Sequence, residues 1–174
     1  MKRVLPAVLS SYLLVAPFAY AVDDTDPVRE VVEATARNWD EGGEYEEVFS
    51  KDRLDRVFSK SFAEAFYKAS KNPPYDIADG ETTGFPFSYD PIAQGQDGCP
   101  FEDIRIENDG DGQVTALFKN RGCFGKEAEY QQDTVLIFHV ETEDGRPVID
   151  DIYPVVDHVS GTSIKEELLA VGGQ

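Results

Sequence analysis

Residues that most often carry chemistry are scarce in this chain. Its 174 residues include two histidines, two cysteines, one methionine and one tryptophan. Two Cys and two His are too few to build a structural zinc site, and with the lone Met1 they argue against a haem or metal carrier. Positive charge is also scarce: 16 Lys+Arg face 34 Asp+Glu, a formal charge of −18. A field of that sign repels phosphate backbones and anionic headgroups, which argues against nucleic acid and membrane surfaces as partners. No G-x-S-x-G, H-E-x-x-H, phosphate-binding loop or dinucleotide fingerprint occurs. The expectation is a protein without metal or cofactor.

What is present describes a folded domain. Hydrophobic residues make up 41% and aromatics 11% of the chain, more than a disordered acidic tail carries. Lys2 and Arg3 precede an uncharged apolar stretch, Val4 to Ala19, that ends in Ala19-Tyr20-Ala21. This is the pattern of a signal peptide cleaved after Ala21. The stretch is short for a membrane span and carries Pro6 and Pro17, so no stable membrane insertion is expected after cleavage. Residues 1–21 are therefore read as the signal peptide and 22–174 as one exported domain, periplasmic or secreted. In that compartment Cys99 and Cys123 are expected to form a disulfide.

The domain divides into a helical front and a strand-rich back. Asp26 and Pro27 are placed as N-cap and first residue of a helix that presents Val28, Val31, Val32, Thr35 and Trp39 at helical spacing and ends at Gly42-Gly43. A second helical region is expected from about Glu44 to Ser70, with Ser50 or Ser59 capping a new start, and Pro73-Pro74 stopping it. Residues 73–100 read as a packed connection, because Phe85, Phe87, Tyr89 and other large apolar side chains are costly to leave in water. Alternating strands follow at 101–107, 113–119, 130–141 and 148–156, with turns at 108–112 and 143–146. The Asp-Gly-rich first turn fails as a calcium loop, because Phe118 stands where the bidentate Glu belongs. Ser163 with Glu166 forms a capping box for a short last helix. The predicted fold is α+β: N-terminal helices packed on a curved, mostly antiparallel sheet of about four strands, with a short C-terminal helix.

Two stretches carry a family resemblance: Asp90-Pro91 leading to Gln96-Asp97, and Val148-Ile149-Asp150-Asp151-Ile152. With the element order over roughly 28–156, they resemble the nuclear-transport-factor-2-like, or cystatin-like, cone superfamily, and within it an uncharacterised group of exported bacterial proteins. Arg146-Pro147 departs from the aromatic usual before the last strand's apolar pair. The resemblance implies a curled cone and a periplasmic setting, not an activity.

Two functional readings follow. The preferred one is a non-catalytic binding protein, an acidic inhibitor or immunity protein for a basic partner, or a binder of a small ligand. Glu41, Glu44, Glu46 and Glu47 form one candidate patch, and Glu127 and Glu129 another; the competing view of both is a solvated acidic face. The alternative is a cone-pocket enzyme or ligand carrier with Asp150 or Asp151 as general base, assisted by Tyr153 or Tyr130 and by His139. Adjacent strand residues point to opposite faces, so only one of the two carboxylates is expected to look inward. An open cavity between helices and sheet would favour this alternative. Side chains filling that space would exclude it.

Overall fold

A computed structural model describes residues 23–72 and 84–173. The proposed signal peptide, Pro73-Pro74, and the Tyr75 and Ile77 of the connection lie outside the described residues. Helix α1 spans Thr25–Trp39, α2 Lys51–Arg56, α3 Lys60–Ala69 and α4 Ile164–Gly172; strands β1 to β5 span Glu102–Gly110, Gln113–Lys119, Thr134–Glu143, Arg146–Val156 and Val159–Ser160.

Helix α1 begins at Thr25, two residues earlier than Pro27 suggests. The Asp23 carboxylate accepts a 3.0 Å hydrogen bond from the Thr25 amide, which fixes the start there. Pro27 then falls within the first turn, where a missing N–H costs no intrahelical bond. Residues 44–50 are not helical, and Tyr45 is 82% exposed. Both serines cap: the Ser50 hydroxyl accepts from Arg53 N, and that of Ser59 accepts from Phe62 N at 3.0 Å. The box at Ser163 and Glu166 is complete and opens α4. A 3-10 turn, Ala128–Gln131, occupies the start expected for the third strand.

The strands form one antiparallel sheet in the order β1-β2-β3-β4-β5, each paired with its neighbours in sequence. This corrects the expected curved sheet of about four strands. The sheet has five, stays open with β1 and β5 as its two edges, and neither closes nor curls into a cone. The fifth strand escapes sequence patterning because it holds just two residues, Val159 and Ser160, after the Asp157-His158 turn. The resemblance to the cone superfamily falls with the curl, since that architecture depends on it.

Alternation sets the two faces of the sheet. Val114, Ala116 and Phe118 on β2 meet Phe138 and Leu136 on β3 across the ladder, all fully buried. Helices α1 and α3 cover this face and α4 packs on α3 and β4. Phe49, Phe58, Phe62 and Phe66 stack within the layer, with Phe58 and Phe62 ring centroids 4.6 Å apart. Each such ring withdraws enough apolar surface to stabilise by about 2–3 kcal/mol. The α2–α3 junction is strapped to β4, where Ser59 N donates to Ile149 O and Ile149 N donates to Val57 O, each at 2.8 Å. This strap places Ser59 beside Asp150.

Candidate functional site

Three places hold the candidate site residues singled out from sequence. The first is the Asp150-Asp151 pair. The expectation that the two carboxylates diverge is overturned by a bulge in β4: His139 pairs with Asp151 and Val140 with Ile149, so Asp150 is an extra residue. Both carboxylates consequently reach the N-terminus of α4. Asp150 accepts hydrogen bonds from Ser59 at 2.7 Å, Ser61 at 2.8 Å and the Lys165 ammonium at 2.6 Å. Burial pushes the Asp150 carboxyl up, but the Lys165, Ser59 and Ser61 bonds outweigh it and hold the group below the usual carboxylate range. Asp151 is 7% exposed and accepts from Ile152 N at 2.8 Å and Lys165 N at 3.1 Å. Tyr153 lies beside it; burial raises the phenol above its ordinary value and the Asp151 charge and hydrogen bond add to the rise.

A general base needs a substrate-sized space beside it. Here the hydrogen bonds on Oδ1 of each carboxylate tie β4, α3 and α4 together. His139 stacks on Tyr153 with centroids 4.7 Å apart, and Tyr130 lies on the 3-10 turn before β3, away from Asp150. Phe62 and Phe138 are fully buried and Phe66 nearly so, filling the layer between helices and sheet. Trp39, expected to help fill it, sits instead at the end of α1 against Gly98. A Cβ at Gly98 would stand 2.9 Å from the indole ring, so only glycine allows this approach.

The second place is the Asp40–Glu47 loop. Its base is pinned on both sides: the Asn38 amide donates to Glu46 O at 2.7 Å and accepts from Glu46 N at 2.6 Å. The Glu46 carboxylate bonds Arg53 and Arg37, which together hold it below the usual range. Arg53 is 8% exposed and also bonds Glu30 and the Glu47 carbonyl. Glu46 is thus engaged internally, whereas Glu41, Glu44 and Glu47 are exposed and, among the described residues, have no ion-pair partner.

Beside this loop lies an aromatic groove of about 490 Å³, lined by Trp39, Tyr45, Phe49, Phe85, Phe87 and Tyr89. Sequence reasoning missed it because its walls come from α1, the loop and the 84–96 segment. Trp39 Nε1 donates to Asp90 Oδ2 at 3.0 Å, and Asp90 Oδ1 accepts from Ile92 N and Ala93 N, both at 2.9 Å. The Asp90-Pro91 motif is therefore a turn that anchors the indole. Cys99 and Cys123 form the expected disulfide, and Cys99 N donates to Asn120 O at 2.8 Å, holding this segment against the end of β2.

The remaining patch, Glu127 and Glu129, sits exposed around the 3-10 turn. Glu129 borders a cleft of about 1080 Å³ at the end of the sheet, together with Arg105, Lys119, Arg121, Gln132 and Asp133. Among the described residues no group of three or more His, Cys, Asp and Glu is placed to hold a metal ion, and no helix is long and apolar enough to cross a membrane.

Comparison with known proteins finds no family model, no curated relative and no solved structure that matches this chain. The functional reading therefore rests on the geometry alone.

Proposed function

We propose that this is an exported, disulfide-stapled binding protein that presents the Asp40–Glu47 loop and its aromatic groove to a basic protein partner. One observation carries the reading. The loop's backbone is pinned through Asn38 and Glu46, while the side chains of Glu41, Glu44, Glu47 and the 82% exposed Tyr45 project from it with no side-chain hydrogen bond or ion pair among the described residues. A pinned loop loses little entropy on binding, and an exposed tyrosine among carboxylates offers a contact anchor with steering charge. The net charge of −18 favours a partner of opposite sign. The Cys99–Cys123 disulfide supports an oxidising, extracytoplasmic setting.

The test is a titration against two basic proteins, a lysozyme-type muramidase and cytochrome c, followed by Trp39 fluorescence and calorimetry at low and physiological salt. Saturable binding of the muramidase is expected, weakened at least about tenfold by Tyr45→Ala and by the Glu41→Gln/Glu44→Gln/Glu47→Gln triple variant. The charge-matched Glu127→Gln/Glu129→Gln variant should bind normally. Equal loss in both charge variants, equal binding of cytochrome c, or no saturable binding would sink the proposal.

A further inference from the structure

The aromatic groove beside the Asp40–Glu47 loop has a charge as well as a shape. Among the described residues that line it there is no Lys, Arg or His, and its two charged side chains, Glu47 and Asp90, are both carboxylates. Arg37 and Arg53, the cations that reach the loop, are engaged by Glu46 and Glu30. The Glu47 carboxylate is exposed and has no ion-pair partner among the described residues. The walls are aromatic: Phe87 meets Tyr89 edge-on with centroids 6.0 Å apart, and Phe49 and Phe85 both pack against Phe87.

Two of these rings give their polar hydrogen to a carboxylate. Trp39 Nε1 donates to Asp90 Oδ2 at 3.0 Å, and the Tyr89 hydroxyl donates to Glu167 Oε2 at 2.6 Å. Asp90 is held in place by the Ile92 and Ala93 amides on its other oxygen, and Glu167 stands in the first turn of α4. Burial and the Glu167 hydrogen bond raise the Tyr89 phenol above its ordinary value, so it stays a donor. A negative charge at the polar edge draws that hydrogen outward and leaves the ring more electron-rich. The face of an indole or phenol is already the negative pole of its quadrupole, and this polarisation deepens it. Glu47 on the same groove adds charge of the same sign.

Electron-rich rings with an uncommitted carboxylate select an organic cation, and shape narrows the choice. The groove holds about 490 Å³ and includes the 82% exposed Tyr45, so it is an open slot and not a closed cage around a compact trimethylammonium group. A guanidinium is planar and weakly hydrated, stacks on aromatic rings, and offers a carboxylate two parallel N–H bonds. A lysine ammonium is a strongly hydrated point charge without that fork. We propose that the groove is the pocket for one arginine side chain of the basic partner, lying along the Trp39 and Tyr89 rings with its guanidinium paired to Glu47. This inference rests on the basic-partner reading and deepens it: Glu41 and Glu44 steer the approach, and the groove recognises one residue.

Trp39 is the chain's one tryptophan, so its indole N–H gives a single NMR cross-peak inside the site. That peak is followed in the whole exported protein during titration with acetyl-Gly-Arg-Gly-amide, its lysine and citrulline counterparts, and choline. The arginine peptide is expected to move it saturably at millimolar concentration, at least about threefold tighter than the lysine peptide or choline. Citrulline, of similar shape but neutral, should not saturate below about 50 mM. Glu47→Gln, an exposed change, should weaken the arginine peptide at least about threefold, and Tyr89→Leu at least about fivefold. Should Tyr89→Leu not fold, Tyr89→Phe keeps the ring, removes the Glu167 bond and should cost about twofold. Glu127→Gln should change nothing. No saturable movement up to about 50 mM overturns the proposal. So does citrulline, lysine or choline binding as tightly as arginine, or arginine binding insensitive to the Glu47 and Tyr89 variants. Muramidase binding by a protein whose Trp39 peak ignores the arginine peptide overturns the arginine pocket alone and leaves the basic-partner reading standing. Peptide binding without muramidase binding removes that partner and keeps the pocket.

Discussion

The Asp150-Asp151 pair and the Asp40–Glu47 loop are both rich in carboxylates, and they use them in opposite ways. In the first, Oδ1 of each carboxylate accepts from named donors, Ser59, Ser61 and Lys165 for Asp150 and two main-chain amides for Asp151. In the second, only Glu46 is satisfied; the other glutamates project into solvent around Tyr45. A carboxylate engaged by donors from other elements holds those elements together, and one without such donors is available to a partner. Acidity alone does not separate these roles. Donor geometry does.

The contrast breaks most visibly at Asp151. Asp151→Ala removes the acceptor of one buried amide, Ile152 N, and one part-buried amide, Lys165 N at the start of α4, and should cost about 2–3 kcal/mol in denaturant unfolding. Partner binding by the folded fraction should be unchanged. Glu46→Gln should cost less, about 1 kcal/mol, because Arg53 keeps Glu30 and the Glu46 carboxylate is partly screened by water. Yet Glu46→Gln should also loosen the loop and slow association, which stopped-flow mixing would read. Glu44→Gln, by contrast, should change stability by less than about 0.5 kcal/mol.

Acid titration sharpens the comparison further. Asp150 has a folded-state pKa below its unfolded value, so the stability it contributes is present above the ordinary carboxylate range and lost as pH falls through the folded pKa. Glu141 works in the opposite sense. Burial, followed by the Asp150 and Glu143 charges, raises it, so its small penalty grows as pH rises through the same range. Thermal unfolding of Asp150→Asn between pH 6 and 3 should therefore show a shallower loss of stability than the parent. An unchanged slope would mean that Asp150 is not held by these donors.

Local signals carried much of the fold. Ser50, Ser59 and Ser163 mark helix starts because a hydroxyl satisfies a first-turn amide wherever that helix is placed. Strand alternation in 113–119 and 135–140 shows which side chains are buried, because successive side chains must take opposite faces. The same local logic went wrong at 44–50. Tyr45 and Val48 have helical spacing, but Asn38 and Glu46 capture the backbone in another conformation. The site was less legible. Glu41, Glu44 and Glu47 could be noticed as a cluster, but not told apart from Glu46, whose Arg37 and Arg53 partners lie on other elements.

By itself the sequence determined the α+β order of elements, the strong negative charge and the Cys99–Cys123 pairing, each a matter of composition or short-range spacing. The tertiary structure decided that the sheet stays open, that a bulge turns both Asp150 and Asp151 onto α4, and that Trp39 leaves the core for Gly98. It also decided where the aromatic groove and the end cleft lie. These outcomes depend on which distant donor, ring or strand edge reaches a residue first, and no local pattern encodes that competition.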